Sequence, residues 1–217
     1  MAIAPITPYP MPATVPSSPL SWQLEAHRAA LLIHDLQSYF LAPYAGHAPL
    51  PELITNIVRL RARCTELAIP VIYSAQPPAQ TRAQRGLLQD LWGPGIRTDA
   101  EAAITSALAP RDGDTVITKW RYSAFRRTPL ADLLASQGRD QLIICGVYGH
   151  IGVLATALDA FMRDVEPFLA ADAIADFSAA DHEQTLRHGA TRCAIPMTTD
   201  AITDALAVAE AMPERTP

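Results

Sequence analysis

The chain has 217 residues, 49% of them hydrophobic and 18% charged, enough apolar material for one substantial core and too few charges for a disordered protein. Seventeen Lys and Arg against 22 Asp and Glu leave a net charge of −5, which argues against electrostatic coating of nucleic acid or of an anionic membrane. Three widely spaced cysteines make neither a disulfide framework nor a paired metal motif, and no run reaches the roughly 18 apolar residues of a membrane span, so the expectation is a cytoplasmic domain with buried thiols.

Six of the nineteen prolines fall in the first twenty residues, which excludes helix and central strand there. Residues 1–21 therefore read as an extended arm, either disordered or laid along the domain or a partner subunit through Ile6, Tyr9, Met11 and Val15. From Trp22 on, short β-branched runs alternate with helical stretches, as in βαβ units. Strands are predicted over residues 29–34, 71–75, 115–118, 141–146, 167–171 and 194–198. Their near-continuous apolar character fits burial on both faces, and Pro196 assigns the last to an edge. Helices are predicted over 51–67, 129–137, 152–163, 179–192 and 199–211, with an amphipathic turn of helix within 81–95. Right-handed crossovers make this a six-stranded parallel sheet flanked by helices, a three-layer α/β/α Rossmann-like fold over 22–210 with a tail at 211–217. In such a fold, ligands bind at the C-terminal ends of the strands.

At those ends stand His34-Asp35-Leu36-Gln37, Gln76-Pro77-Pro78, Lys119-Trp120-Arg121-Tyr122 and Gly146-Val147-Tyr148-Gly149-His150-Ile151-Gly152. Singly, each also suits a cap or a solvated position; together, an acid, an amide, a cation and a glycine-bearing turn meet the needs of a polar small-molecule site. The glycine turn opens a helix, so its N–H groups are candidates for a carboxylate site or, equally, the glycines serve close packing. GxGxxG spacing and a Walker lysine are both missing, so this is not a nucleotide-binding loop. Beyond the second strand, Arg85 is a candidate two-pronged carboxylate ligand and Trp92 a candidate wall or, equally, ordinary core, while Arg82 reads as solvated. The histidines show no metal-binding spacing, so neither a metal nor a cofactor is expected.

The segments LLIHDLQSYF, YSAQP, QRGLLQDLWGPG, TKWRYSAF, GRDQLIICGVYGHIGV and DAFMRDVEPFLAADAIADFS, with their spacing, resemble the isochorismatase family of the cysteine-hydrolase-like superfamily from about Trp22 to about Asp204. The wider superfamily has an Asp, Lys, Cys triad; the matching positions are Asp35, Lys119 and Gly152, so the thiol nucleophile is absent, as it is in the isochorismatases. Cys145 lies within an apolar strand and reads as inert packing. The resemblance implies hydrolysis of the enolpyruvyl vinyl ether of isochorismate to pyruvate and a dihydrodiol, with Asp35 protonating the methylene carbon. Hydrolysis of 2-amino-2-deoxyisochorismate is the alternative; a scaffold role and a cysteine-type amidohydrolase are further ones. It also implies that Lys119 and Arg85 engage the substrate's two carboxylates, that Gln76, Tyr148 and Gly152 position the enolpyruvyl group, and that Phe40, Trp92 and Tyr122 enclose the ring. A homodimer or higher oligomer, no carrier-protein domain in this chain, and a cis Val147–Tyr148 bond are implied as well. Gly149 stands where the family pattern has alanine, a departure expected to loosen the turn.

Overall fold

The computed structural model describes residues 3–208, so the expected tail at 211–217 lies outside the described residues. The strands are β1 (Ala29–His34), β2 (Val71–Ala75), β3 (Thr115–Thr118), β4 (Gln141–Val147), β5 (Glu166–Ala175) and β6 (Ile195–Met197). They form one parallel sheet in the order β3-β2-β1-β4-β5-β6. The chain winds outward from β1 to β3, crosses back to β4 and winds outward again, so the direction reverses between β1 and β4 and a crevice opens beyond their C-terminal ends.

The α-helices are α1 (Ser38–Leu41), α2 (Leu50–Glu66), α3 (Arg82–Arg85), α4 (Leu88–Trp92), α5 (Asp99–Ala102), α6 (Leu130–Ser136), α7 (Leu154–Phe161), α8 (Ala179–Arg192) and α9 (Thr199–Val208). Alternate residues of β1 feed opposite layers. Leu31 and Ile33 pack with Leu53, Ile57 and Leu60 of α2 and with Ile202 and Leu206 of α9. Ala30 and Leu32 pack with Leu130 and Leu134 of α6 and with Ala157 and Ala160 of α7. The 4-3-4 spacing of Leu53, Ile57, Leu60 and Cys64 puts the four buried apolar residues of α2 on one face. Among the described residues, no helix is long and apolar enough to cross a membrane.

The differences from expectation have local causes. β5 continues four residues past 171, because Asp172 interrupts the apolar run without ending the strand. Its carboxylate accepts from the Thr199 N–H at 2.7 Å and the Thr199 hydroxyl at 2.8 Å, at the start of α9. The helix expected from 152 starts as a π turn over Gly149–Val153, in which the Tyr148 carbonyl accepts from the N–H groups of Ile151, Gly152 and Val153. The stretch 81–95 forms two short helices, α3 and α4, separated by Gly86 at φ +58°, the first started by a Thr81–Gln84 capping box. The expected end of the last helix, Ala211, lies outside the described residues.

Of the options for the arm, the described residues take the one along the domain. Ile6 donates to the Pro43 carbonyl at 2.9 Å, and the buried Tyr9 hydroxyl accepts from the Asp176 N–H at 2.7 Å. Both side chains join the same core as β1 and α2.

Candidate active site

All nine candidate residues named from the sequence (Asp35, Phe40, Gln76, Arg85, Trp92, Lys119, Tyr122, Tyr148 and Gly152) line one cavity, with about 500 Å³ of atom-free space including its open mouth. It lies at the crevice between β1 and β4. Asp35 immediately follows β1 in the left-handed region, at φ +52°, which aspartate tolerates better than most side chains. Lys119, immediately after β3, reaches across β2 to place Nζ 2.8 Å from Asp35 Oδ2. The Ser74 hydroxyl donates to Asp35 Oδ1 at 2.7 Å, and Gln76 Nε2 approaches Oδ2 at 3.4 Å. Asp35 and Lys119 are 4% and 2% exposed, so the ion pair is sheltered from solvent screening. Burial alone would raise the Asp35 pKa. The charge of Lys119, helped by His34 and by the hydrogen bonds from Lys119 and Ser74, outweighs it and holds the carboxyl below its ordinary value of 3.8.

Arg85 is buried at the end of α3, its Nη1 donating to Gln76 Oε1 at 2.9 Å and its Nε to the Gly93 carbonyl at 3.0 Å. Gln37 braces the neighbouring main chain of Gln76 from both sides, accepting its N–H and donating to its carbonyl, each at 2.8 Å. Aromatic rings close the remaining sides. Tyr148 packs on Phe177 at 4.5 Å and edge-on to Phe40 at 6.1 Å between centroids, and Trp92 Nε1 donates to the Tyr122 hydroxyl at 2.7 Å. The Val147–Tyr148 peptide is cis.

Of the two roles open for the glycine turn, the N–H groups of residues 150–153 fit close packing. Those of Ile151, Gly152 and Val153 point back to the Tyr148 carbonyl, and that of His150 donates to Asp176 Oδ2 at 2.6 Å. The turn is not loosened at Gly149. A Cβ there would meet Asp176 Oδ2 at 2.6 Å and Thr185 Oγ1 at 3.0 Å, so glycine brings the turn hard against β5 and α8.

The sequence reading missed the neighbours that come from elsewhere in the chain. Ile3 of the arm and Phe177 beyond β5 line the cavity, and neither carries a local signal. Ser74 did carry one, a hydroxyl inside an otherwise apolar strand. His150, Asp176 and Asp181 bring one potential metal-ligand atom each within 4.8 Å, a grouping invisible to histidine spacing. Its lone pairs are largely engaged: Asp176 accepts from His150, Phe177 and Thr185, and Asp181 from Ser178.

The Asp176 hydrogen bond raises the His150 pKa above its usual 6.5. A raised pKa stabilises the fold fully below about 6.5, and that contribution is lost as pH climbs through the folded value. An NMR titration should therefore give a His150 midpoint above 6.5 that drops in Asp176→Asn. An unchanged midpoint would show that the pair is not formed.

A buried acid–lysine pair in a cavity at the switch point of a doubly wound sheet defines an α/β enzyme for a small molecule. The isochorismatase domain description matches residues 29–201, and the chain belongs to the isochorismatase family, as an isochorismatase-type hydrolase. It is 48% identical over 220 residues to the isochorismatase of Bacillus subtilis strain 168, covering 100% of this chain and 70% of that protein. To phenazine biosynthesis protein PhzD1 of Pseudomonas aeruginosa it is 47% identical over 205 residues, covering 91% and 96%. To enterobactin synthase component B of Escherichia coli K12 it is 47% identical over 196 residues, covering 88% and 69%. A cysteine hydrolase from Pseudomonas syringae shares the fold, with a TM-score of 0.81 at 24% identity over 89% of this chain and 98% of its own.

Proposed function

We propose that the protein hydrolyses the vinyl ether of isochorismate to pyruvate and 2,3-dihydro-2,3-dihydroxybenzoate by acid catalysis, with Asp35 as the acid. The observation that carries this reading is a buried carboxyl paired to Lys119 in a cavity whose wall at 152 has no side chain. The slow step of vinyl ether hydrolysis is protonation of the terminal methylene carbon, which needs a positioned proton donor and no nucleophilic side chain. Water then adds to the oxocarbenium carbon, and the hemiketal collapses to pyruvate and the ring alcohol.

In the free enzyme the Asp35 pKa is depressed, which is the wrong protonation state for an acid. A substrate with two carboxylates corrects this. Lys119 and Arg85 turn toward the incoming anions, so Asp35 loses part of its compensating charge while burial and the added negative charge push its pKa up. Gln76, already within reach of both Arg85 and Asp35, positions the enolpyruvyl carboxylate along with Tyr148, and Gly152 leaves room for it by having no side chain. Phe40, Trp92 and Tyr122 wall the ring.

The second reading is 2-amino-2-deoxyisochorismate, favoured by the near-complete mutual coverage with PhzD1. The two substrates differ at one ring substituent. Assay of pyruvate release from each by purified protein separates them by kcat/KM, and turnover of neither would end both readings. In heavy water the pyruvate methyl group should gain one deuterium per turnover; unlabelled pyruvate, measured before exchange, would exclude protonation at carbon. The reading places the enzyme in the cytoplasm, which the three free buried thiols support, and as a homodimer, which light scattering tests.

A further inference from the structure

We propose that His34 is a specificity-determining residue whose ring occupies the room that a side chain at position 152 would need, so that the chain is held to nucleophile-free chemistry. A Cβ built on Gly152 would lie 2.3 Å from His34 Cε1, 2.9 Å from Nε2 and 3.3 Å from Nδ1. Contacts under 3.0 Å essentially never occur for real Cβ atoms, so one partner would have to move. Gly152 sits in a helical turn and needs no positive φ; close approach alone requires glycine there.

Neither partner is free to yield. The His34 ring is fully buried at the end of β1, with Nδ1 2.7 Å from the Val147 carbonyl. A carbonyl only accepts, so Nδ1 carries a hydrogen. Nε2 makes no well-formed hydrogen bond, with the Tyr122 main chain on one side and Gly152 packed against the Cε1–Nε2 edge on the other. On the other side, Gly152 is tied down through its N–H to the Tyr148 carbonyl at 3.1 Å and through its carbonyl to the Thr156 hydroxyl at 2.7 Å. Burial pushes the His34 pKa down to about 4, so the ring is an uncharged filler at neutral pH.

Position 152 lines the cavity together with Asp35 and Lys119. A thiol placed there, with a lysine ammonium nearby to favour the thiolate, would have the surroundings of a nucleophile. His34 forecloses it. This inference rests on the proposed nucleophile-free reaction only for its meaning; its test uses no ring substrate, so the two fail separately.

The test is a double-mutant cycle on the full chain with Gly152→Ala, His34→Ala and the pair, followed by melting temperature. Gly152→Ala is expected to lower Tm by at least ~5 °C beside His34, and by much less in the His34→Ala background. Equal losses in both backgrounds overturn the proposal. If Gly152→Ala folds only when His34 is trimmed, the proposal stands; if it folds in neither background, the proposal falls.

The second arm compares alkylation by iodoacetamide in Gly152→Cys and in His34→Ala/Gly152→Cys, read by mass spectrometry. Cys64, Cys145 and Cys193 are buried, so the native background is low. The introduced thiol is expected to react at least ~10-fold faster in the double variant, with a titration midpoint below the ~8.5 of a free thiol. Equal rates in the two variants overturn the exclusion by His34.

Discussion

Asp35→Asn is expected to lower kcat by about 10²- to 10⁴-fold, the usual worth of a positioned acid, while KM changes little. The amide matches the carboxyl in shape and still accepts from the Ser74 hydroxyl, so the cavity keeps its walls. What it loses is the transferable proton. It also leaves Lys119 without its charge partner, so circular dichroism and melting must accompany the kinetics. Near-normal turnover by the folded variant would remove Asp35 from the chemistry.

Lys119→Met carries the second large effect, on activity and stability together. Removing the ammonium deprives one substrate carboxylate of its partner, and kcat/KM should fall at least ~100-fold. It also leaves a buried carboxylate alone, a change that costs about 3–5 kcal/mol when the charge has no way out. Asp35 does have one, because it can take up a proton. In the native protein its folded pKa lies below the unfolded 3.8, so it stabilises above about pH 3.8, and this is lost as pH falls through the folded value. Without Lys119, burial is left as the main influence and the folded pKa rises above the unfolded one. The variant's Asp35 then contributes below the unfolded pKa, and that contribution is lost as pH rises through its folded value. The Tm gap between the two proteins should therefore narrow from pH 7 to about pH 4. A constant gap would mean that the lysine acts by packing alone.

Much of this was legible in the sequence because the governing patterns are local. The apolar runs AALLIH and VIYSA coincide with β1 and β2, and Pro196 lies in the edge strand β6. Strand-end residues share a rim by topology alone, which is why Asp35, Gln76, Lys119 and Tyr148 group together in the sequence. The two roles open for the glycine turn are not separable in sequence, because a helical N-terminus and a π turn have the same apolar pattern and only the shared Tyr148 carbonyl distinguishes them. The end of β5 was placed too early because a single polar residue, Asp172, looks like a stop signal when its distant partner Thr199 is unknown. The fit of His34 against Gly152 involves residues 118 positions apart and has no counterpart in spacing.

The docking of the proline-rich arm has a consequence for the order of folding. Tyr9 and Asp176 are 167 residues apart, so their contact closes one of the longest loops the chain can make. Loop-closure cost grows with separation, and contacts between residues so far apart tend to form after local ones. The arm is therefore expected to settle after β5 has paired. Because Ile3 belongs to that arm and to the cavity wall, the wall of the site is expected to be completed after the sheet, an order that pulse-labelled hydrogen exchange at the Asp176 amide would read.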